Sequence, residues 1–304
     1  MPPTFLETHG PILLGNDKAA KLHLLQAWGI FANPKICPQQ HQMILERRNN
    51  NIDGWRWRCN RCHPRLSIGI REGTILKDFR GDSGRLVHAI YLWSLKKTGV
   101  EIANETGLDQ HIVGELRWRL RVCCTNDLLR HPVRISGRQG QPVQIDESMF
   151  NHKRRGGVGR RAEKLWVFGM ADTRYRPARY HMEVVRNRDR RTLVPIINRH
   201  LVGRNVPIHS DMWRAYINLP RFVPNCGLHE TVNHTQNFVD PITGAHIQAM
   251  ESGWNRVKYG FKKAKGCRRN RVQSYLDEFI WIDWRGGNDV FRSVLLIISI
   301  DYPH

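Results

Sequence analysis

The sequence predicts a mixed α/β protein: a sheet domain with helices packed on it, preceded by a cysteine-bearing module and a short helical region. Three observations carry this prediction. From about residue 141 apolar strand-like segments give way to segments with helical spacing and back again. Between 83 and 130 the apolar positions recur every three to four residues. Before both, Cys59 and Cys62 enclose two residues, with Cys37 upstream. The expected division is 1–80, 81–135, 136–284 and a tail at 285–304.

In the first part, "AAKLHLLQAWGIF" carries Leu22, Leu25 and Trp28 on one side of a short helix. A Cys-x-x-Cys pair on a tight turn presents two thiolates to one tetrahedral zinc, and another segment must complete the set. Here that segment reads Cys37-Pro-Gln-Gln-His41, so Cys37, His41, Cys59 and Cys62 are the candidate ligands, with His63 as the substitute for His41. The flanking segments "GWRWRC" and "RLSIGI" suit the strands of a zinc ribbon. The competing reading is an incidental Cys-x-x-Cys with stray histidines, since position 40 is Gln. Seven cysteines in all, an odd number, favour ligation and burial over a disulfide framework.

In the second part, "SGRLVHAIYLWSLKKTG", "EIANETGL" and "DQHIVGELRWRLRVCC" read as helix, short helix, Gly-bearing turn and basic helix. That is the outline of a helix-turn-helix, in which Arg117, Arg119 and Arg121 would lie against DNA. A small helical linker with a solvated basic face fits the same pattern.

In the third part, "PVQIDESMF" alternates, with Gln144, Asp146 and Ser148 on one side. "KLWVFGMAD" is apolar throughout and reads as a central strand, and "ARYHMEVV" is a third. "RTLVPIINRHL" is a sheet-packed helix, "VPIHSD" a fourth strand, and "MWRAYINL" a helix after it. Three successive strands, then helix, strand and helix, outline a ribonuclease H-like domain.

Two carboxylates stand out in that outline, Asp146 on the first strand and Asp211 at the end of the fourth. A third comes from "AHIQAMESGWNRVKYGFKK", where Met250, Trp254, Val257 and Phe261 form an apolar stripe. Glu251, Asn255, Lys258 and Lys262 form the stripe beside it. Taken singly, Asp211 is a helix cap, Asp146 an edge-strand polar residue and Glu251 a solvated helix residue. Taken together, with 64 and 39 residues between them, they are expected to hold two Mg²⁺ or Mn²⁺ ions for work on a phosphodiester, with Lys258 meeting a phosphate. Glu147 faces the other side and is left out. Asp240 in "NFVDPITGAH" is the rival third acid, less rigidly placed by its loop.

Charge names the partner class. Lys and Arg number 48 against 27 Asp and Glu, a net +21. A surplus of this size favours a polyanion, and a ribosome-like basic protein is the plainer alternative. The clusters are Lys153, Arg154, Arg155, Arg160 and Arg161; Arg188 and Arg190; and Lys262, Lys263, Arg268 and Arg269. All are expected to track double-stranded DNA. "KKAKGCRRNR" also reads as a nuclear-import signal. The N-terminal residues lack a secretory pattern and the longest apolar run, "VLLIISI", is too short to span a bilayer. The expectation is an intracellular protein with no membrane partner.

The segments "VQIDES", "WVFGMAD", "RTLVPIINRHL", "IHSDMWRAY", "TVNHTQNFVDPITGAHIQAMESGWNRVK" and "YLDEF", in this order over residues 19–284, resemble the Merlin superfamily of DDE transposases. Bacterial insertion-sequence transposases with an ISXO2-like catalytic domain share the pattern. The resemblance implies a catalytic triad of Asp146, Asp211 and Glu251, Lys258 as the basic residue after it, and His234 as part of a signature segment. It implies an N-terminal zinc ribbon with two Cys-x-x-Cys pairs, from which Gln40 departs. It also implies hydrolysis at transposon ends followed by attack of the freed 3'-hydroxyl on target DNA. The partners implied are terminal inverted repeats, target DNA and a homo-oligomer that holds two ends. The place implied is the nucleus, or the cytoplasm of a bacterium. Rival readings are a metal-dependent nuclease that cuts without joining and a domesticated DNA-binding protein with an idle triad.

Overall fold

The computed structural model describes residues 5–150, 164–233 and 238–303. Among them, those up to 126 together with those from 285 onward form one compact unit, and those between 127 and 284 form another.

In the first unit, α1 (Phe5–Leu13) and α2 (Lys18–Ala27) precede a three-stranded antiparallel sheet of β1 (Ile44–Arg47), β2 (Trp55–Cys59) and β3 (Leu66–Gly69). The expected ribbon strands are β2 and β3; α1 and β1 were not foreseen. Asp17 caps α2 by accepting from the N–H groups of Ala19 and Ala20. Three helices follow, α3 (Ser83–Ser94), α4 (Gly99–Thr106) and the long α5 (Gln110–Arg130). Thr98 and Glu101 build a capping box at the start of α4, and Gly107 ends it at φ 66°. The C-terminal helix α9 (Val290–Asp301) belongs to this unit, its Phe291 in edge-on contact with Phe5, Trp28 and Tyr91. None of the helices described is long and apolar enough to cross a membrane.

The helical region corrects one expectation. Arg121 is buried, 3% exposed, and Arg119 donates to the carbonyls of Ile75 and Lys77 while stacking over Phe79. Arg119 thus serves the protein's own backbone and Arg121 lies within the fold, so neither is turned outward for DNA. A helix turns by about 200° over two residues, so Arg117, Arg119 and Arg121 could not all share one face turned to DNA.

The second unit is built on a mixed sheet of five described strands in the order β6-β5-β4-β7-β8: β4 (Val143–Met149), β5 (Trp166–Asp172), β6 (Arg179–Val185), β7 (Val206–Asp211) and β8 (Cys226–Val232). The first three run antiparallel in succession, and β7 and β8 are parallel to β4. This is the ribonuclease H-like arrangement the sequence predicts. Helix α6 (Arg190–His200) covers one face, and α7 (Gln248–Lys263) the other, with α8 (Val272–Arg285) following. The stripe read from the sequence is the buried one: Met250, Trp254 and Val257 are 0%, 4% and 4% exposed. "MWRAYINL" is not a helix but leads through two short 3₁₀ turns, Arg214–Tyr216 and Leu219–Arg221. Asn218 at φ 55° and Pro220 forbid a continuous helix there. Strand β8 escaped notice because "CGLHETV" is short of apolar residues, and its burial is confined to its ends.

Candidate active site

The site rests on strand register. Gln144 on β4 is abreast of His209 on β7, and two residues further along these parallel strands stand Asp146 and Asp211. Both therefore face the same side of the sheet. Asp146 pairs across β5 with Gly169, and over that glycine lies Trp254 of α7. A methyl group on Gly169 would collide with Met250 and stand 2.8 Å from the Trp254 ring, so the missing side chain lets α7 lie close. From there the indole N–H donates to Asp146 Oδ2 at 2.8 Å.

Gln144 fixes the start of α7. Its Oε1 accepts from the N–H groups of Ala249 and Met250 at 2.8 and 3.2 Å, and its Nε2 lies 3.3 Å from His246 Nδ1. Ile247, at the cap position, offers no side-chain acceptor, so a strand residue does the capping. Glu251 then falls in the first turn of the helix, where a carboxylate is favoured. Lys258, two turns on, donates to Ser148 Oγ at 2.6 Å. Sequence reasoning passed over Gln144; a buried amide on the same side as Asp146 was its only signal.

Asp211 plays the cap-like part that its sequence context allows, with Oδ1 accepting from Trp213 N–H at 3.0 Å. Its charge nonetheless reaches Asp146. Burial, then the charges of Asp211 and Glu251, raise the Asp146 carboxyl to about 7, against the stabilising N–H groups of Trp254 and Glu147. Asp240, the rival acid, instead spends Oδ1 on Ile242, Thr243 N–H and Thr243 hydroxyl, closing its own turn.

Glu147, set aside from the sequence, is buried behind this site. Tyr216 hydroxyl donates to it, and Arg188 lies 3.7 Å away, stacked between Trp166 and Trp213. Burial and the charges of Asp146 and Asp211 push Glu147 up to about 8, with Arg188 opposing. Arg188 and Arg190 are thus engaged within the protein: Arg190 donates to the carbonyls of Ala215 and Ile217. Lys262, Lys263, Arg268 and Arg269 are exposed. Lys153, Arg154, Arg155, Arg160, Arg161 and His234 lie outside the described residues.

In the first unit Cys37, His41, Cys59 and Cys62 come together, with their ligand atoms within 4.8 Å of one another. Cys37 and Cys62 Sγ are 3.6 Å apart, and His41 Nδ1 is 3.6–3.7 Å from Cys62 and Cys59. Thiolates about 2.3 Å from a tetrahedral zinc stand roughly 3.8 Å apart, so the set fits that ion. Burial works against the Cys59 thiolate, but hydrogen bonds from Cys62, two backbone N–H groups and His41 outweigh it and bring the thiol down to about 6. His63, the substitute ligand, is exposed and outside the set.

Residues 137–282 match the family of the ISXO2-like transposase domain. An uncharacterized transposase-like protein of Haemophilus influenzae is 27% identical over 118 residues, which cover 38% of this chain and 87% of that one. The simian T-cell lymphotropic virus intasome in complex with PP2A regulatory subunit B56 gamma aligns with a TM-score of 0.31 at 14% identity, over 64% of this chain and 67% of that one. A pre-cleavage Mos1 transpososome aligns at 0.29 and 10% identity, over 72% and 78%.

Proposed function

We propose that residues 137–282, which match the family of the ISXO2-like transposase domain, work as such a domain, and that Asp146, Asp211 and Glu251 are the carboxylates with which the chain cuts and joins DNA. What supports this reading is that Asp146 and Asp211 face the same side of the sheet, that α7, which carries Glu251, packs on that side, and that the charges of Asp211 and Glu251 both bear on Asp146. Such a trio suits hard divalent cations, because oxygen donors of like charge repel until a cation neutralises them. Asp146, Asp211 and Glu251 would hold Mg²⁺ or Mn²⁺. When bound, such ions supply the positive charge that activates an attacking oxygen and stabilises a leaving one at phosphorus.

The chain's own residues prepare that chemistry. Trp254 aims Asp146, Trp213 N–H aims Asp211, and Gln144 holds the turn of α7 that carries Glu251. Lys258 lies beside Ser148 on the same face, where it meets a phosphate of the bound strand. Water or a 3'-hydroxyl serves as nucleophile in turn, so hydrolysis at an element's end and transfer of that end to target DNA need only one site. The Cys37, His41, Cys59 and Cys62 set would hold a structural zinc, and the helices after it, outlining a helix-turn-helix, would engage duplex DNA. Two ends in one complex call for a homo-oligomer.

The test is strand transfer on a duplex bearing the element's end, with Mg²⁺ and with each acid replaced in turn. Joined products from the unaltered chain, and none from Asp146→Asn, Asp211→Asn or Glu251→Gln, are expected, with DNA binding retained in all three. Nicks without joining would mark a nuclease, and binding alone an inactive relative. Retained cleavage by Asp211→Asn would remove that residue from the site.

A further inference from the structure

We propose that His181, Glu183 and His200 form a binding site for a borderline divalent cation of the Zn²⁺ type, separate from the three carboxylates and from the cysteine set. On β6 the intervening Met182 pairs with Gly169 and so shares the face of Asp146 and α7. His181 and Glu183 therefore point to the opposite face, where α6 packs and ends at His200. One ligand atom from each of the three lies within 4.8 Å of the others.

The imidazoles of His181 and His200 stack with centroids 3.6 Å apart and planes 22° from parallel. They are 9% and 6% exposed. Glu183 divides its oxygens: Oε2 is 3.4 Å from His181 Nε2, and Oε1 is 3.5 Å from Arg199 Nη2. Arg199 thus satisfies one oxygen and leaves the other turned to the rings. His200 Nδ1 lies 2.9 Å from the Val133 carbonyl, which can only accept, so that nitrogen carries the proton and Nε2 keeps its lone pair. This is how ligating histidines are held, with one nitrogen fixed by a backbone oxygen and the other presented to the ion. The backbone of His200 is pinned as well, its carbonyl accepting from Ile135 N–H at 2.8 Å.

Two imidazoles and one carboxylate are a donor set that favours Zn²⁺, Co²⁺ or Ni²⁺ over Mg²⁺. Three protein ligands leave a further position on the ion. A bound ion would join the edge strand β6, the end of α6 and the segment 133–135 that enters β4. A simple ion pair between a charged His181 and Glu183, with no metal, is the competing arrangement.

The experiment uses the full chain, dialysed against Zn²⁺ and analysed for metal, and in parallel titrated with Co²⁺ in the visible range. His181→Phe keeps a stacked ring but removes a ligand, and Glu183→Gln removes the carboxylate charge. The expected result is loss of one zinc equivalent in each variant, or at least a tenfold weaker affinity for it. That equivalent persists in Asp146→Asn and in Cys59→Ser. With Co²⁺ it contributes weak bands without thiolate charge transfer, and His181→Phe abolishes them. Should His181→Phe fail to fold, Glu183→Gln is read the same way. Zinc content and cobalt spectra unchanged in the folded variants would overturn the site.

Discussion

At the scale of single residues, the Asp146 carboxyl is a balance of opposed effects. Burial and the neighbouring charges raise it to about 7, while the Trp254 indole lowers it. A group raised in the fold binds a proton that the unfolded chain, at its model value of 3.8, has already released. Its contribution to stability is present in full below about pH 4 and is lost as pH rises through about 7. In the presence of chelator, Asp146→Asn should therefore melt above the unaltered chain at pH 8, and the gap should close towards pH 4. Thermal melts across that range check this. Trp254→Phe removes the one side-chain donor to Asp146 described, so the carboxyl should rise further. The acid limb of the strand-transfer pH profile should then shift to higher pH, with activity at pH 7 reduced severalfold; a profile that does not move would show that the indole does not tune the acid. Asp146 and Asp211 were visible in the sequence, as acids ending or interrupting apolar strands. Gln144 and the buried Glu147 were not, because their roles depend on partners about 70 to 105 residues away, Tyr216 and the α7 backbone.

At the scale of elements, α7 is placed by two features of the sheet, the missing side chain at Gly169 and the amide of Gln144. Gly169→Ala should push Trp254 and Met250 outward and cost about 1–3 kcal/mol of stability, as overpacked cores do. Gln144→Leu should cost about 1 kcal/mol for the lost cap. Both should reduce strand transfer by more than the stability loss explains, because Glu251 and Trp254 ride on the same helix. Denaturant unfolding beside kinetics at a temperature where both variants remain folded separates the two effects. The amphipathic stripe of α7 and the strands β4 to β7 were legible from their periodicity. The segment after Asp211 misled, since its aromatic residues anchor loop turns: Trp213 donates to the Arg188 carbonyl and Tyr216 to Glu147. Apolar spacing records that a residue is buried, and helix, turn and strand can all bury it.

At the scale of the whole molecule, the net charge of +21 makes phosphate contact the dominant expected term in DNA affinity. Four exposed cations, Lys262, Lys263, Arg268 and Arg269, lie at or beyond the end of α7. Replacing all four by Gln should lower the salt dependence of duplex binding by about 3 to 4 in log–log slope. Arg190→Gln should instead reduce stability with little change in slope, because its guanidinium already serves the carbonyls of Ala215 and Ile217. Binding measured across a salt series tells the two roles apart; equal slopes for the unaltered chain and the fourfold variant would remove this cluster from the DNA path.

The amino-acid order by itself determined the fold class, the strand carrying Asp146, the strand ending in Asp211, the helix carrying Glu251 and the spacing of the cysteine set. Each is a local pattern of periodicity, turn chemistry or ligand type. Tertiary structure alone decided that His41 and not His63 completes the cysteine set, that Arg121 is buried, and that Arg119, Arg188 and Arg190 serve the protein's own carbonyls, carboxylate and rings. It also placed Gln144 beneath α7 and gathered His181, Glu183 and His200. These outcomes depend on which distant segment faces a given side chain, and that is fixed by register and packing rather than by the residues on either side.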